Sequence, residues 1–457
     1  MNEAHPRLSI LIVGGGASGV LLAAHLLRSA ADIRVTLIEK RPSLGRGIAY
    51  STRQLDHVLN VAAPGMSAFA DDPEHFWRWL RHRKLVTEAE RFVFVPRRHY
   101  GSYLADVLAE VEAAAPGRLH IVHDEVIDVL TTGAGVEAKL KSGASLMAHV
   151  AVLAVGHETN PARAKGIAVR VGSEADTPLD PDAPVLLLGS GLSMVDAWLS
   201  LAEAQHRGPI TVVSRHGLLP KAHRQVSPIP LEAADVPFGT ELHYFTAWFR
   251  DLVAEAAGRG EGWRSVVDAL RPYNQRIWQN WSLGARRRFL SHVRPFWNIH
   301  RHRLPPELHA RLEDAVRAGQ VRLVAGTYLD IERRDADVRA TVRRKGASNL
   351  TFFDVARVYD CGGISVDVEQ SSNPAIRALL ARGSIRPDPL HIGLEVDPDC
   401  RTVDSSGSPS DRLLAVGPLT RGTFFEIEAI PDIRVQCADL AKRLVGEGAA
   451  RPHGLFP

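Results

Sequence analysis

Two glycine-rich turns, each set directly behind a short apolar run, constrain this chain more than any other feature. Ile10-Leu11-Ile12-Val13 leads into Gly14-Gly15-Gly16-Ala17-Ser18-Gly19, and Val185-Leu186-Leu187-Leu188 leads into Gly189-Ser190-Gly191-Leu192-Ser193. An apolar run without alternation suits a parallel strand buried on both faces. A glycine turn behind such a strand lets the backbone bend sharply and come close to a phosphate. The pattern predicts an α/β fold with two Rossmann-like dinucleotide-binding domains.

In the first turn, Gly14 permits the bend, Gly16 the approach to a pyrophosphate, and Gly19 close packing of strand and helix. Apolar residues and alanines at helical spacing from Val20 to Leu27 predict that helix. Its N-terminus offers free N–H groups and a partial positive charge to the phosphate. A second run, Arg34 to Ile38, ends at Glu39, the distance of about 20 residues at which a carboxylate bonds ribose hydroxyls. Glu39 would repel a 2′-phosphate, so this half should take FAD or NAD and not NADP.

The second turn repeats the plan with two changes. Asp180-Pro181-Asp182-Ala183-Pro184 precedes it as a run of breakers, and Leu192 to Ala202 reads as an amphipathic helix. Met194 stands where the third glycine would, which affects helix packing more than phosphate approach. After the strand Ile210 to Val213 comes Ser214-Arg215-His216, with no acid matching Glu39. A hydroxyl and a guanidinium suit a 2′-phosphate, so NADPH is expected here, with NADH the alternative if Arg215 only caps the strand. Asp196, in the first turns of the helix, reads as a solvated residue.

Three further runs end in glycine: Val150 to Gly156, Val355 to Gly363 and Leu413 to Gly417. With a strand-like stretch from Arg118 to Leu130, they imply an FAD domain in two pieces, 1–175 and 336–457. The NAD(P) domain, 180–335, is inserted between them, and Pro161 acts as a breaker after the first piece. Residues 218–318 exceed the minimal nucleotide fold. They contain Trp248, Trp263, Trp278, Trp281 and Trp297, the run Arg286-Arg287-Arg288 and the run His300-Arg301-His302-Arg303. This stretch reads as a helical insertion over the cofactor cleft, its Trp and Leu residues forming a core. Its basic groups form either a solvated face or an anchor for an acidic substrate or a phosphate.

Composition removes several alternatives. A chain of 457 residues suits two or three domains. The net charge is only +3 and arginine is spread along the chain, which argues against a nucleic-acid face. Cys361, Cys400 and Cys437 lie far apart without a CxxC, so no disulfide framework, metal site or redox-active dithiol is expected. Leu8 to Leu27 is nearly continuous and apolar, but its glycines, Ser18 and His25 favour strand, turn and helix over a signal peptide or membrane span. A cytoplasmic protein with no membrane partner is expected; the oligomeric state is open.

Over nearly its whole length the chain resembles bacterial FAD/NAD(P)-binding oxidoreductases with two dinucleotide-binding domains, a group related to class B flavin and N-hydroxylating monooxygenases. The resemblance is carried by Val13 to Gly19, Gly45 to Ser51, Leu59 to Ser67, Gly189 to Asp196, Trp297 to Arg303 and Gly417 to Glu426. It implies FAD bound by Gly14, Gly16, Ala17, Ser18, Gly19, Glu39 and Lys40. Gly47, Asn60 and Met66 lie in segments that run beside the pyrophosphate and flavin ring. Asn60 is the catalytic candidate: either it bonds the flavin edge or it fixes a turn. NAD(P)H falls to Gly189, Gly191, Ser193, Ser214 and Arg215. Related reductases carry an Asp for the ribityl chain after a terminal glycine; here Pro418 follows Gly417, leaving Thr420 or Thr423 to replace it. The Baeyer–Villiger fingerprint is absent, which disfavours ketone oxygenation.

The expected activity is that NADPH reduces FAD and the reduced flavin reacts with oxygen to oxidise a small molecule. The missing CxxC and the two-domain layout favour such a monooxygenase. The alternatives are an NAD(P)H-dependent reductase or dehydrogenase serving another acceptor, and a non-catalytic FAD-binding redox sensor. Arg97, Arg98 and His99, behind Pro96, lie either near the cleft or on the surface.

Overall fold

The computed structural model describes residues 8–158, 166–171, 173, 176–335 and 337–450. Pro161, expected as a breaker, lies outside the described residues, as does the boundary expected at 175. The strands are β1 (Leu8–Val13), β2 (Ile33–Ile38), β3 (Leu119–Val122), β4 (Val126–Thr131), β5 (Val136–Leu140), β6 (Ser145–Ala148), β7 (Val150–Leu153), β8 (Val185–Leu188), β9 (Ile210–Ser214), β10 (Val321–Arg334), β11 (Asp337–Arg344), β12 (Leu350–Val355), β13 (Arg357–Asp360), β14 (Arg401–Val403) and β15 (Pro409–Ala415). The helices are α1 (Ala17–Leu27), α2 (His75–His82), α3 (Arg97–Ala114), α4 (Leu192–Glu203), α5 (Leu242–Gly258), α6 (Trp263–Leu270), α7 (Asn274–Asn280), α8 (Leu283–Arg288), α9 (Arg294–Arg301), α10 (Pro306–Arg317), α11 (Pro374–Ala381) and α12 (Ile430–Ala450).

One sheet has the order β14-β15-β7-β1-β2-β3, and all but β14 run parallel. The apolar residues of β1 are buried on both faces, as a central parallel strand requires. The helices α1, α3 and α12 cover this sheet. A second sheet has the order β12-β11-β10-β9-β8-β13, parallel from β10 to β13 and antiparallel through β10-β11-β12. Its central strand β8 and helix α4 repeat the geometry of β1 and α1. A small antiparallel sheet, β4-β5-β6, branches from the first unit. The stretch Arg118 to Leu130 thus supplies two strands in different sheets, separated at Asp124.

The expected division between 335 and 336 cuts through the second sheet. There β11, β12 and β13 all hydrogen-bond, and the chain rejoins the first sheet only after Asp360. The reason lies in β13, whose register with β8 completes the floor under the second glycine turn.

Helices α5 to α10 lie between β9 and β10. Trp278 and Trp281 are buried in a core with Phe245, Ile277 and Phe289, and Phe425 packs against it. The Trp278 indole stacks on Phe425 at 4.8 Å and donates to the Gly422 carbonyl at 2.8 Å. The insertion therefore docks on the segment that follows β15. Among the described residues, no helix is long and apolar enough to cross a membrane.

Candidate active site

The carboxyl ends of β15, β7, β1 and β2 bring the segments at Gly417, His157, Gly14 and Glu39 side by side, and a cleft of about 240 Å³ runs along this edge. Gly14 takes φ +110°, and a Cβ there would lie 2.6 Å from the Ala154 carbonyl oxygen. A Cβ on Gly19 would sit 1.9 Å from the Gly14 oxygen, so only glycine lets α1 approach β1 this closely. Gly16 differs: the nearest atom to a Cβ there is the Gly47 Cα, 3.7 Å away. Gly16 and Gly47 form two facing bare walls of the cleft.

Gly16 is also the N-cap of α1, with no side-chain cap and no acid in the first turn. The N–H groups of that turn are left for a ligand, and negative charge there is favoured. Ala17 and Ser18 line the same end. Glu39 is buried, its Oε2 accepting from the Gly15 N–H at 2.8 Å and its Oε1 from the Arg41 N–H at 3.0 Å. Those bonds aim the carboxylate along the cleft wall. Lys40 lines the rim and pairs with Glu125 at 2.9 Å.

Other expected residues lie elsewhere. Met66 is buried in the core of the first unit, away from the cleft lining. Asn60 is half-buried, is not among the cleft-lining residues and makes no side-chain hydrogen bond among the described residues. Gly417 is buried with φ +72°, and a Cβ would meet the Ser18 hydroxyl at 2.3 Å; its role is close packing at the turn. Thr420 and Thr423, expected in place of the missing ribityl acid, lie behind the cleft wall. Thr420 is fully buried and donates to the Gly417 carbonyl, and Thr423 donates to the Val396 carbonyl at 2.6 Å. Neither threonine is among the residues lining the cleft, which at this point is lined by Pro418.

The end of the cleft opposite Glu39 holds a group that sequence reasoning passed over: His157, Glu158 and Glu428. Arg421 is buried behind them. It donates from Nη2 to His157 Nδ1 at 3.2 Å and from Nε to the Pro418 carbonyl at 3.0 Å, and its Nη1 pairs with Glu428 at 3.0 Å. Burial above all, and Arg421 beside it, pull the His157 pKa down to about 4 against the opposing pull of Glu428. Burial pushes the Glu428 carboxyl up, but the cations beside it, Arg421 first among them, outweigh it and hold its pKa below the usual range. The available signal was positional: His157-Glu158 follows directly on Gly156, three residues beyond β7, at the edge where such sheets bind ligands.

Next to this group, Glu426 joins two motifs that are distant in sequence. Its carboxylate accepts from Trp297 at 2.6 Å, Arg301 at 3.0 Å and Asn274 at 2.8 Å. The Glu426 and Arg301 side chains are 7% and 11% exposed, and Arg301, with lesser help from the Trp297 hydrogen bond, more than offsets the upward push of burial on the Glu426 pKa. A buried carboxylate with three donors pins α7 and α9 to the cleft's end.

At the second turn, Gly189 has φ +108°, and a Cβ would lie 2.6 Å from the Cys361 carbonyl, matching Gly14 over Ala154. Gly191 is the N-cap of α4 with nothing within 4 Å of a Cβ, and Ser193 is exposed. Met194 is buried under α4 in the third-glycine position. The Ser214 hydroxyl accepts from Ser190 at 2.9 Å and from the Gly217 N–H at 3.1 Å, while Arg215 is exposed. Asp196 is not simply solvated. It pairs with Arg97 at 2.7 Å, and His57 bonds the Asp196 carbonyl and Ser200, so these residues tie α4 to the first unit.

Residues 11–158 match the family model NAD_binding_9, described as FAD-NAD(P)-binding, so this part of the chain is an FAD/NAD(P)-binding domain. No curated protein matches the sequence. Solved structures match across almost the whole chain. An ornithine N-hydroxylase of Kutzneria sp. 744, solved with reduced FAD, NADP+ and L-ornithine, is 15% identical with a TM-score of 0.65, covering 97% of this chain and 100% of its own. A cadaverine monooxygenase of Erwinia amylovora bound to FAD is 12% identical with a TM-score of 0.62, over 96% and 94%. A thioredoxin reductase of T. acidophilum is 13% identical with a TM-score of 0.52, over 97% and 99%. The chain shares the two-domain flavoprotein fold with these proteins.

Proposed function

We propose that the chain is an FAD- and NADPH-dependent oxidoreductase of the monooxygenase kind, acting on a small molecule. One observation carries the FAD assignment: an uncapped helix N-terminus and the facing Gly16 and Gly47 lie beside a buried, oriented Glu39 in a single cleft. Gly14, Gly16, Ala17, Ser18, Gly19 and Gly47 would hold the pyrophosphate, and Glu39 the ribose. Gly189, Gly191 and Ser193 would take the NADPH phosphates, with the exposed Arg215 for its 2′-phosphate. Bound FAD would supply the hydride acceptance and oxygen chemistry; the protein positions it and sets the charge around it.

The solved relatives divide between hydroxylases and disulfide reductases, and the cysteines favour the first. Cys361, Cys400 and Cys437 are all buried, and none is among the residues lining the cleft. Burial raises the Cys400 thiol to about 12 and Cys437 further still, so neither is a ready thiolate.

The test begins with purified protein, which should be yellow and bleach with NADPH under anaerobic conditions. Readmitted oxygen should be consumed with low peroxide yield only when a substrate is present, and a panel of small amines is the first to try. A yellow protein that never bleaches refutes the enzyme and leaves the redox sensor. Bleaching with electrons passed only to other acceptors would make it a reductase.

A further inference from the structure

At the cleft's far end one imidazole has its proton position set by geometry. An arginine can only donate, so His157 Nδ1, which accepts from Arg421, carries a lone pair and the ring proton sits on Nε2. Arg421 is fixed by its Nε–H bond to the Pro418 carbonyl and by burial beside the opposite charge of Glu428, although Nη1 itself makes no hydrogen bond among the described residues. Nε2 of His157 makes no hydrogen bond among the described residues, is not sealed from solvent, and His157 lines the cleft. The adjoining charges are already engaged: Glu428 by Arg421, and Glu158 by Ser371 and Ser372. From the helical insertion, His302 and Arg294 act on Glu428. A second proton on His157 would cost the Arg421 bond and set two cations against each other.

The order of the strands says which part of a ligand arrives here. A dinucleotide with its ribose at Glu39 and its pyrophosphate between Gly16 and Gly47 must send its other half toward β7 and β15. We propose that His157 is a permanently neutral Nε2–H donor to the redox-active ring of that dinucleotide, and so a catalytic residue. The inference rests on the FAD reading above. His157 neither gains nor loses a proton in the reaction; its N–H favours the redox state with more negative charge at that ring edge.

The test uses FAD-loaded protein and reads the flavin midpoint potential against a reference dye. His157→Phe keeps the ring and removes the donor, whereas His157→Gln sets an amide N–H near the Nε2 position. At a fixed poise His157→Phe should lower the ratio of reduced to oxidised flavin about tenfold, which is about 30 mV for a two-electron couple. His157→Gln should stay within about twofold of the parent, as expected for a retained hydrogen bond. In the unsubstituted protein, nitrogen NMR of labelled histidine should show the Nε2–H tautomer and no imidazolium between roughly pH 5.5 and 8.5. A His157→Phe protein with full FAD and an unchanged potential overturns the proposal, and so does a His157 that titrates normally or carries its proton on Nδ1. The NMR result decides if the Phe variant does not fold. Protein that takes up no FAD fails at the earlier step, which FAD content alone reports.

Discussion

Alanine at Gly16 and alanine at Gly19 should separate ligand binding from folding. At Gly19 the added methyl would meet the Gly14 carbonyl oxygen at 1.9 Å and its carbon at 3.1 Å. Gly14 cannot yield easily, since its N–H is bonded to the Ile38 carbonyl at 2.8 Å and its φ is +110°. Forced overpacking costs about 3 kcal/mol, and the better helix propensity of alanine returns about 1 kcal/mol. The net of about 2 kcal/mol corresponds to a Tm lowered by about 4–8 °C for a unit of this size. At Gly16 the methyl meets only the Gly47 Cα at 3.7 Å, and the φ of −73° suits any residue. Flavin-free Gly16→Ala should keep its stability within about 1 kcal/mol. Its methyl, however, would stand in the gap meant for the pyrophosphate, so FAD affinity should fall at least about 100-fold, or about 2.7 kcal/mol. Thermal unfolding of flavin-free protein and FAD titration by fluorescence quenching read the two effects. Parental FAD affinity in Gly16→Ala would refute the assignment of the cleft, and an unshifted Tm in Gly19→Ala would refute the packing argument.

Glu426→Ala strands Arg301 among buried residues, and should cost about 3–5 kcal/mol in denaturant unfolding, with α5 to α10 becoming the first segment cut by protease. Because the folded Glu426 pKa is lowered, its stabilisation is complete above the unfolded carboxylate value of about 4.3 and is lost as pH falls through the folded value. Glu426→Gln should therefore flatten the acid limb of stability against pH, and an unaltered limb would count against the pairing. Arg215→Ala should raise KM for NADPH far more than for NADH; equal effects would remove Arg215 from 2′-phosphate recognition. Gly191→Ala, whose methyl meets nothing within 4 Å, should leave Tm unchanged yet weaken NADPH binding.

The first nucleotide unit was the most legible part. The glycines act through the backbone and Glu39 through its carboxylate, all within one strand, turn, helix and strand, so their spacing alone carries the geometry. Met66 and Thr423 were expected beside the cofactor, but a motif does not reveal which way a side chain turns. Met66 faces the core, and the Thr423 hydroxyl donates to the Val396 carbonyl, away from the residues that line the cleft. The boundary at 335 failed for a similar reason. The β10-β11-β12 meander has the alternation of any antiparallel ribbon, and only its pairing shows which sheet it extends.

By itself the sequence determined the α/β class, the two glycine turns, the acid that ends β2 and the cation that follows β9. These depend on steric rules local to a few residues: where glycine must stand, where an apolar run can lie, and where a charge ends a strand. Tertiary structure alone decided what stands at the far end of the cleft. His157 and Arg421 are 264 positions apart, and Trp297 and Glu426 are 129 apart. No local rule sets such pairings. They form because β7 and β15 are neighbours in one sheet and because Trp278 and Phe425 pack the insertion against it, which brings distant charges together.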